Sequence, residues 1–178
     1  MTPIRFRKNR SLSAFLAVLA LCGPAHAQGL SASEKTFVEK AAKGNFAEVE
    51  LGRLASQKSN DPQVKAFGQQ MITDHSKAND NLKPIADATH VQWPTQLTGE
   101  PKAIYDRLAK LSGPQFDKLY VQTMVQDHQK DAAEYRAEST KVKDPQLKTY
   151  VSQTLPVVEQ HLNHVRQLQK SSGGMTKK

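Results

Sequence analysis

The chain has 178 residues, of which 25 are lysine or arginine and 17 are aspartate or glutamate, a formal net charge of +8. Half of that excess sits in residues 1–10 as Arg5, Arg7, Lys8 and Arg10; the other 21 basic and 17 acidic residues are interspersed, without a basic stripe, which argues against a nucleic-acid-binding surface. A single cysteine, Cys22, excludes a disulfide framework and leaves thiol chemistry nowhere else to reside.

The first element is a targeting segment. The basic residues 5–10 precede an apolar run from Leu12 to Leu21, followed by Ala25-His26-Ala27, the small-x-small pattern of a signal-peptidase site. At about ten residues the run is too short for a permanent transmembrane helix. The expectation is a secretory signal over residues 1–27, cleaved after Ala27, with the remainder delivered to the periplasm. A lipoprotein anchor on Cys22 is disfavoured, because Leu21 is a poor fit to the small residue such processing requires. Removing the signal leaves a net charge of +4 and no cysteine, so the folded part relies on its core alone.

Strand patterns are nearly absent and helical spacing persists throughout. After a flexible start over residues 28–32, the first helix is predicted from Ser33 to about Gln57. Ser31 and Glu34 have capping-box spacing, and Phe37, Ala41, Glu48, Leu51 and Ala55 share a stripe. Asp61-Pro62 caps and opens a second helix to about Thr89, with Pro84 inside it. Residues 90–100 read as a loop and Pro101 onward as a short helix. A third long helix is predicted from Pro114 to about Lys141. A fourth runs from Asp144-Pro145 to about Gln169, with Pro156 expected to kink it and free the Ser152 carbonyl. The tail, 171–178, is expected to be disordered. "DPQVKAF" at Asp61 and "DPQLKTY" at Asp144 repeat one cap, one apolar and one aromatic position, so the helices fall into two similar pairs. Helices of about 25 residues are about 37 Å long. The long connection between helices two and three favours an all-α, ferritin-like four-helix bundle over residues 33–170, with one crossover carrying the short extra helix.

The polar residues on core stripes are the candidate site. Met71-x-x-Asp74-His75 and Met124-x-x-Asp127-His128 place His75 and His128 in line with apolar neighbours, and His161 and Glu48 hold equivalent mid-helix positions. In an antiparallel bundle these midpoints share one height, so Glu48, His75, His128 and His161 are predicted to converge. Buried imidazoles and carboxylates are costly unless paired or metal-bound, and this set suits a divalent transition metal. Asp74 and Asp127 lie about 100° round their helices, towards solvent, and with His164 are the additional candidates. His90 falls in the loop and suggests nothing. The same quartet can instead satisfy itself by hydrogen bonds and act only as a structural layer.

Three phrases carry a family resemblance. The stretch "FVEKAAKGNFAEVELGRLASQKSNDPQVKAFGQQMITDHSKANDNL" from Phe37, "FDKLYVQTMVQDH" from Phe116 and "LPVVEQHL" from Leu155 resemble the bacterial periplasmic proteins grouped as domain of unknown function 4142. The resemblance spans about Lys35 to Gln169 and implies a ferritin-like bundle exported across the inner membrane, with no activity attached. Di-iron bundles need Glu-x-x-His on two helices. Ile72, Val125 and Val158 stand three residues before His75, His128 and His161, so that motif fails each time. No nucleophile elbow, phosphate loop or His-Glu-x-x-His run is present. The sequence therefore reads as a non-catalytic envelope or stress-linked binding module, with an envelope protein or a second copy as partner. The alternative is a metal-binding or metal-dependent redox protein using the Glu/His cluster.

Overall fold

A computed structural model describes residues 29–174, so the predicted signal segment lies outside the described residues. They form five helices: α1 (Ala32–Lys58), α2 (Pro62–Ala88), α3 (Gly99–Ala109), α4 (Gly113–Ser139) and α5 (Pro145–Gly174). Among the described residues there is no strand, and no helix is long and apolar enough to cross a membrane. The predicted breaks fall where Pro, Gly and capping acids stand. Asp61 Oδ1 accepts from the N–H groups of Gln63 (2.7 Å) and Val64 (3.4 Å), and Asp144 Oδ1 accepts from that of Leu147 (2.8 Å). α2 ends at Ala88 with Thr89 as its cap, and His90 follows with a φ of 58°, the left-handed turn that lets the Val91 N–H return to the Ala86 carbonyl. The loop histidine thus serves as a helix stop.

α5 runs past Gln169 to Gly174, into the segment expected as a tail. The Ser171 hydroxyl donates back to the carbonyls of Gln167 and Leu168, one turn earlier. α2 and α5 both run on through their interior prolines, Pro84 and Pro156.

The four long helices pack as a ring in the order α1, α2, α5, α4, with α3 laid against α1 and α4. Neighbours run antiparallel. Lys40 meets Glu134 across α1 and α4, and Gln70 and Asp74 meet His164 and His161 across α2 and α5. α2 and α4 therefore point the same way, and residues 89–112 return the chain along the length of the ring. α1 and α2 approach most closely where Gly52 faces Gly68; a Cβ on Gly52 would lie 2.6 Å from the Gly68 carbonyl oxygen. Two apolar clusters fill the ends. One centres on Phe37, Val38, Leu82, Leu147 and Val151, the other on Leu51, Phe67, Phe116, Tyr120 and Met124. Between them lies a buried polar layer.

Glu34 ties one end together. Its Oε2 accepts from the Ser31 N–H (2.8 Å) and hydroxyl (2.7 Å), completing the capping box of α1. Its Oε1 accepts from the N–H groups of Lys143 (2.8 Å) and Asp144 (3.0 Å), fixing the turn into α5. Burial pushes the carboxyl up, but the Ser31 hydroxyl and the three backbone donors outweigh it and hold the pKa at about 2. A lowered folded-state pKa stabilises above the ordinary value near 4.5, and that contribution fades as pH falls towards 2. The expected consequence is that Glu34→Gln costs on the order of 2–3 kcal/mol at pH 7, and urea titrations show the gap to wild type narrowing below pH ~4. An equal gap at pH 7 and pH 3 would contradict the role of the charge.

Candidate metal centre

The middle of α2, α4 and α5 brings His75, His128 and His161 together. Their relative exposures are 3%, 0% and 0%, and one ring nitrogen of each lies within 4.8 Å of the others. The ring centroids are 5.3–5.8 Å apart, and Phe67 forms the apolar wall at 6.3 Å from both His128 and His161.

Hydrogen bonding decides which nitrogen is which. His128 Nδ1 lies 3.0 Å from the Met124 carbonyl oxygen, which can only accept, so Nδ1 carries the proton and Nε2 the lone pair. His161 Nε2 lies 2.8 Å from Asp74 Oδ2 and donates to that carboxylate, leaving Nδ1 free. His75 Nδ1 lies 3.0 Å from Asn45 Oδ1, while Asn45 Nδ2 donates to the Tyr150 hydroxyl at 3.0 Å, so Nδ1 donates and Nε2 is free. The three nitrogens left with lone pairs, His75 Nε2, His128 Nε2 and His161 Nδ1, are buried without a hydrogen-bond partner. Each imidazole thus commits its N–H to a partner outside the group and leaves its lone pair buried and unpartnered. A carboxylate, a backbone carbonyl and an amide oxygen supply the outer contacts, the arrangement that orients histidine ligands around a metal.

Electrostatics hold the rings neutral. Burial pushes His75 well below the usual range, with the His128 and His161 rings adding to it. Burial and His161 bring His128 down to about 3, against the opposing pull of the Met124 carbonyl. Burial also lowers His161, partly offset by Asp74. Neutral imidazoles are the form that binds a metal.

The other predicted residues fall around this centre in different roles. Glu48 is 3% exposed, but its Oε1 stands 3.8 Å from His128 Nδ1, the protonated side of the ring, so it is beside the tripod instead of within it. Burial, then Asp127 and Asp131, push its carboxyl well above the usual range, so the contact with neutral His128 is no ion pair. Asp74 is no surface acid: it is half-buried and orients His161. His164 bonds Gln70 Oε1 through Nδ1 at 3.0 Å and faces Phe67 edge-on at 5.2 Å, outside the group. Asp127 also misses the group. It lines a cleft of about 330 Å³ between α1, α3 and α4, together with Glu48 and Asp131. Burial raises Asp127 to about 6, and burial with the Asp127 and Glu134 charges raises Asp131 to about 7.

Sequence reasoning missed Asn45, Tyr135 and Tyr150, which carry the chain of contacts from His75 to the Tyr135–Tyr150 hydroxyl pair at 2.8 Å. The signal was present: the stripe steps from Ala41 to Glu48, and the position between, Asn45, is a second polar residue on a core face. Removing Asn45 strands the His75 N–H and one contact of Tyr150 in the core. Asn45→Ala is expected to cost about 1–3 kcal/mol, and chemical denaturation of the metal-free protein checks it; no loss would mean the network is relaxed by water.

The family described as a domain of unknown function (DUF4142) matches residues 20–168. Among solved structures, CopM in the Cu(I)-bound form is 16% identical with a TM-score of 0.66, the match covering 78% of this chain and 96% of that one. CopM in the apo form is 16% identical at a TM-score of 0.64 with the same coverage. A DUF305 fragment from Deinococcus radiodurans is 12% identical at 0.67, covering 79% of this chain and 97% of its own. Identities this low establish a shared helical fold and no more. No curated protein shows significant similarity to the chain. With nearly the whole helical region inside the matched span, this chain belongs to the DUF4142 family.

Proposed function

We propose that this is a periplasmic metal-binding protein, exported by a signal over residues 1–27 and folded as a ferritin-like four-helix bundle over residues 33–170. In this reading its function is to hold one copper- or zinc-class ion at His75 Nε2, His128 Nε2 and His161 Nδ1. The observation that carries it is that three buried imidazoles cluster with a ring nitrogen of each within 4.8 Å of the others, each keeping one nitrogen unpartnered while all three N–H groups are committed elsewhere. A purely structural histidine layer has no reason to orient all three rings this way, since a ring that donates to its neighbour satisfies two nitrogens at once.

The donor set selects the class of ion. Three neutral nitrogens with no thiolate and no carboxylate suit copper or zinc better than calcium, magnesium or manganese. Separations of at most 4.8 Å put a central ion no more than about 2.8 Å from each nitrogen, so the rings need draw in by under ~1 Å to reach metal–nitrogen lengths of about 2.0 Å. CopM, of the same fold, has been solved with Cu(I), Cu(II) and Ag bound, which supports a copper-group ion here. The cavity adjoining His75 is about 20 Å³, room for a single water or ion beside the rings.

Titration of the purified chain from Gln28 with Cu(II), with Cu(I) under reducing conditions and with Zn(II), followed by elemental analysis, tests the reading. The expected result is one ion per chain and a stabilisation of about 3 kcal/mol at a hundredfold excess of metal over Kd. A His75→Leu/His128→Leu variant should fold and lose that ion. Sub-stoichiometric metal with an unchanged Tm would leave the histidines as a structural layer and return the protein to the envelope interaction reading.

A further inference from the structure

The tripod is sealed from bulk water, which raises the question of how an ion reaches it. Two cavities sit end to end along the α1–α4 seam. The outer one, about 330 Å³, is open and carries Glu48, Asp127 and Asp131 on its walls. The inner one, about 20 Å³, touches His75 and Val158. The two share Lys40, Gly44, Asp131 and Glu134, so one begins where the other ends. The seam is open here because α3 props against both helices and α1 presents Gly44, where an added Cβ would meet no atom within 4 Å.

The charges along this route are arranged unevenly. Lys40 pairs with Glu134 at 2.9 Å, and Lys130 reaches Glu100 at 3.7 Å, both with exposed side chains at the surface. Glu48 at the floor has no such partner: it is 3% exposed and its Oε2 is buried without a hydrogen bond. Glu48 lines the cleft with a buried carboxyl oxygen that has no partner, which a water satisfies, or a cation that displaces the carboxyl proton. The acids of the floor and wall do not converge tightly enough to form a tripod of their own, since the three histidines are the one such group among the described residues. They suit an ion that keeps part of its hydration shell.

We propose that the α1–α3–α4 cleft is the loading site of the metal centre, in which Glu48, Asp127 and Asp131 hold a hydrated divalent ion before it passes Gly44 to His75. This rests on the tripod reading above. The carboxylates concentrate cations at the mouth and replace part of the water shell. The inner cavity, large enough for one water-sized particle, admits the ion after it sheds the remainder. The Lys40–Glu134 pair spans the residues common to both cavities, and its exposed geometry makes it a weak barrier.

Two independent lesions test the route. Asp127→Asn/Asp131→Asn removes the charge from the wall, and Gly44→Leu fills the junction without a steric clash at its Cβ. Glu39→Gln/Asp80→Asn, two exposed acids elsewhere, removes the same charge as a control. Co(II) is mixed rapidly with each full-length mature protein, and the ligand-field absorption of the histidine-bound ion reports arrival at the tripod. Both cleft variants should load at least about tenfold more slowly than wild type while equilibrium affinity stays within about threefold. The control should load at the wild-type rate. Wild-type loading rates in both cleft variants, or a control slowed as much as they are, overturn the loading site and leave the tripod intact. No histidine-bound Co(II) spectrum in wild type removes the tripod reading and the loading site with it.

Discussion

Everything at the centre of this protein follows from placing three imidazoles where water cannot reach. A buried ring nitrogen that bears hydrogen must donate to something, and a buried charge is costly, so each histidine is neutral and each N–H is assigned to an acceptor. The acceptors come from three chemically different sources: the Asn45 amide, the Met124 carbonyl and the Asp74 carboxylate. With the outward nitrogens fixed, the inward ones have no freedom. The lone pairs are left unpartnered because the N–H groups are committed outside the group. The Asn45–Tyr150–Tyr135 chain extends this constraint from His75 into the neighbouring apolar cluster, so the polar layer and the core specify one another.

The helical frame explains how three rings from three helices reach one level. Glu34 pins the start of α1 to the start of α5, and the Gly52–Gly68 approach sets α1 against α2. Asp74–His161 and Gln70–His164 set α2 against α5. Tyr135–Tyr150 and Arg136–Glu159 set α4 against α5. Of the four neighbouring pairs, α1 and α4 are packed least closely: α3 wedges against both, and the acidic cleft lies between them. The most loosely packed seam of the ring is thus the one proposed to carry the ion to the buried centre.

Much of this was legible beforehand. Helix boundaries were set by local chemistry, Asp61-Pro62, Asp144-Pro145 and the Ser31/Glu34 capping box, and they emerge within a few residues of expectation. The convergence of His75, His128 and His161 followed from their stripes and mid-helix heights. The role of Glu48 did not. Its stripe position puts it in the layer, but a few tenths of a helical turn decide whether it meets the lone pair of His128 or its N–H, and periodicity does not resolve that. Asp74 was misjudged for a related reason. A residue 100° from the core face on an isolated helix is exposed, yet here the neighbouring α5 covers that flank and brings His161 to it. Contacts between helices, not patterns along them, assign the outer layer. The loop residue His90 shows the same limit, since its helix-ending conformation has no signature in its residue type.

The most direct test of the account is X-ray absorption at the copper edge of the loaded protein. The expected result is three imidazole nitrogens at about 2.0 Å, with the outer-shell scattering of histidine rings and no carboxylate oxygen from Glu48 bound to the copper. A first shell of carboxylate oxygens with one or no imidazole would contradict it, because the ion would then sit in the cleft and the inward lone pairs would serve no metal.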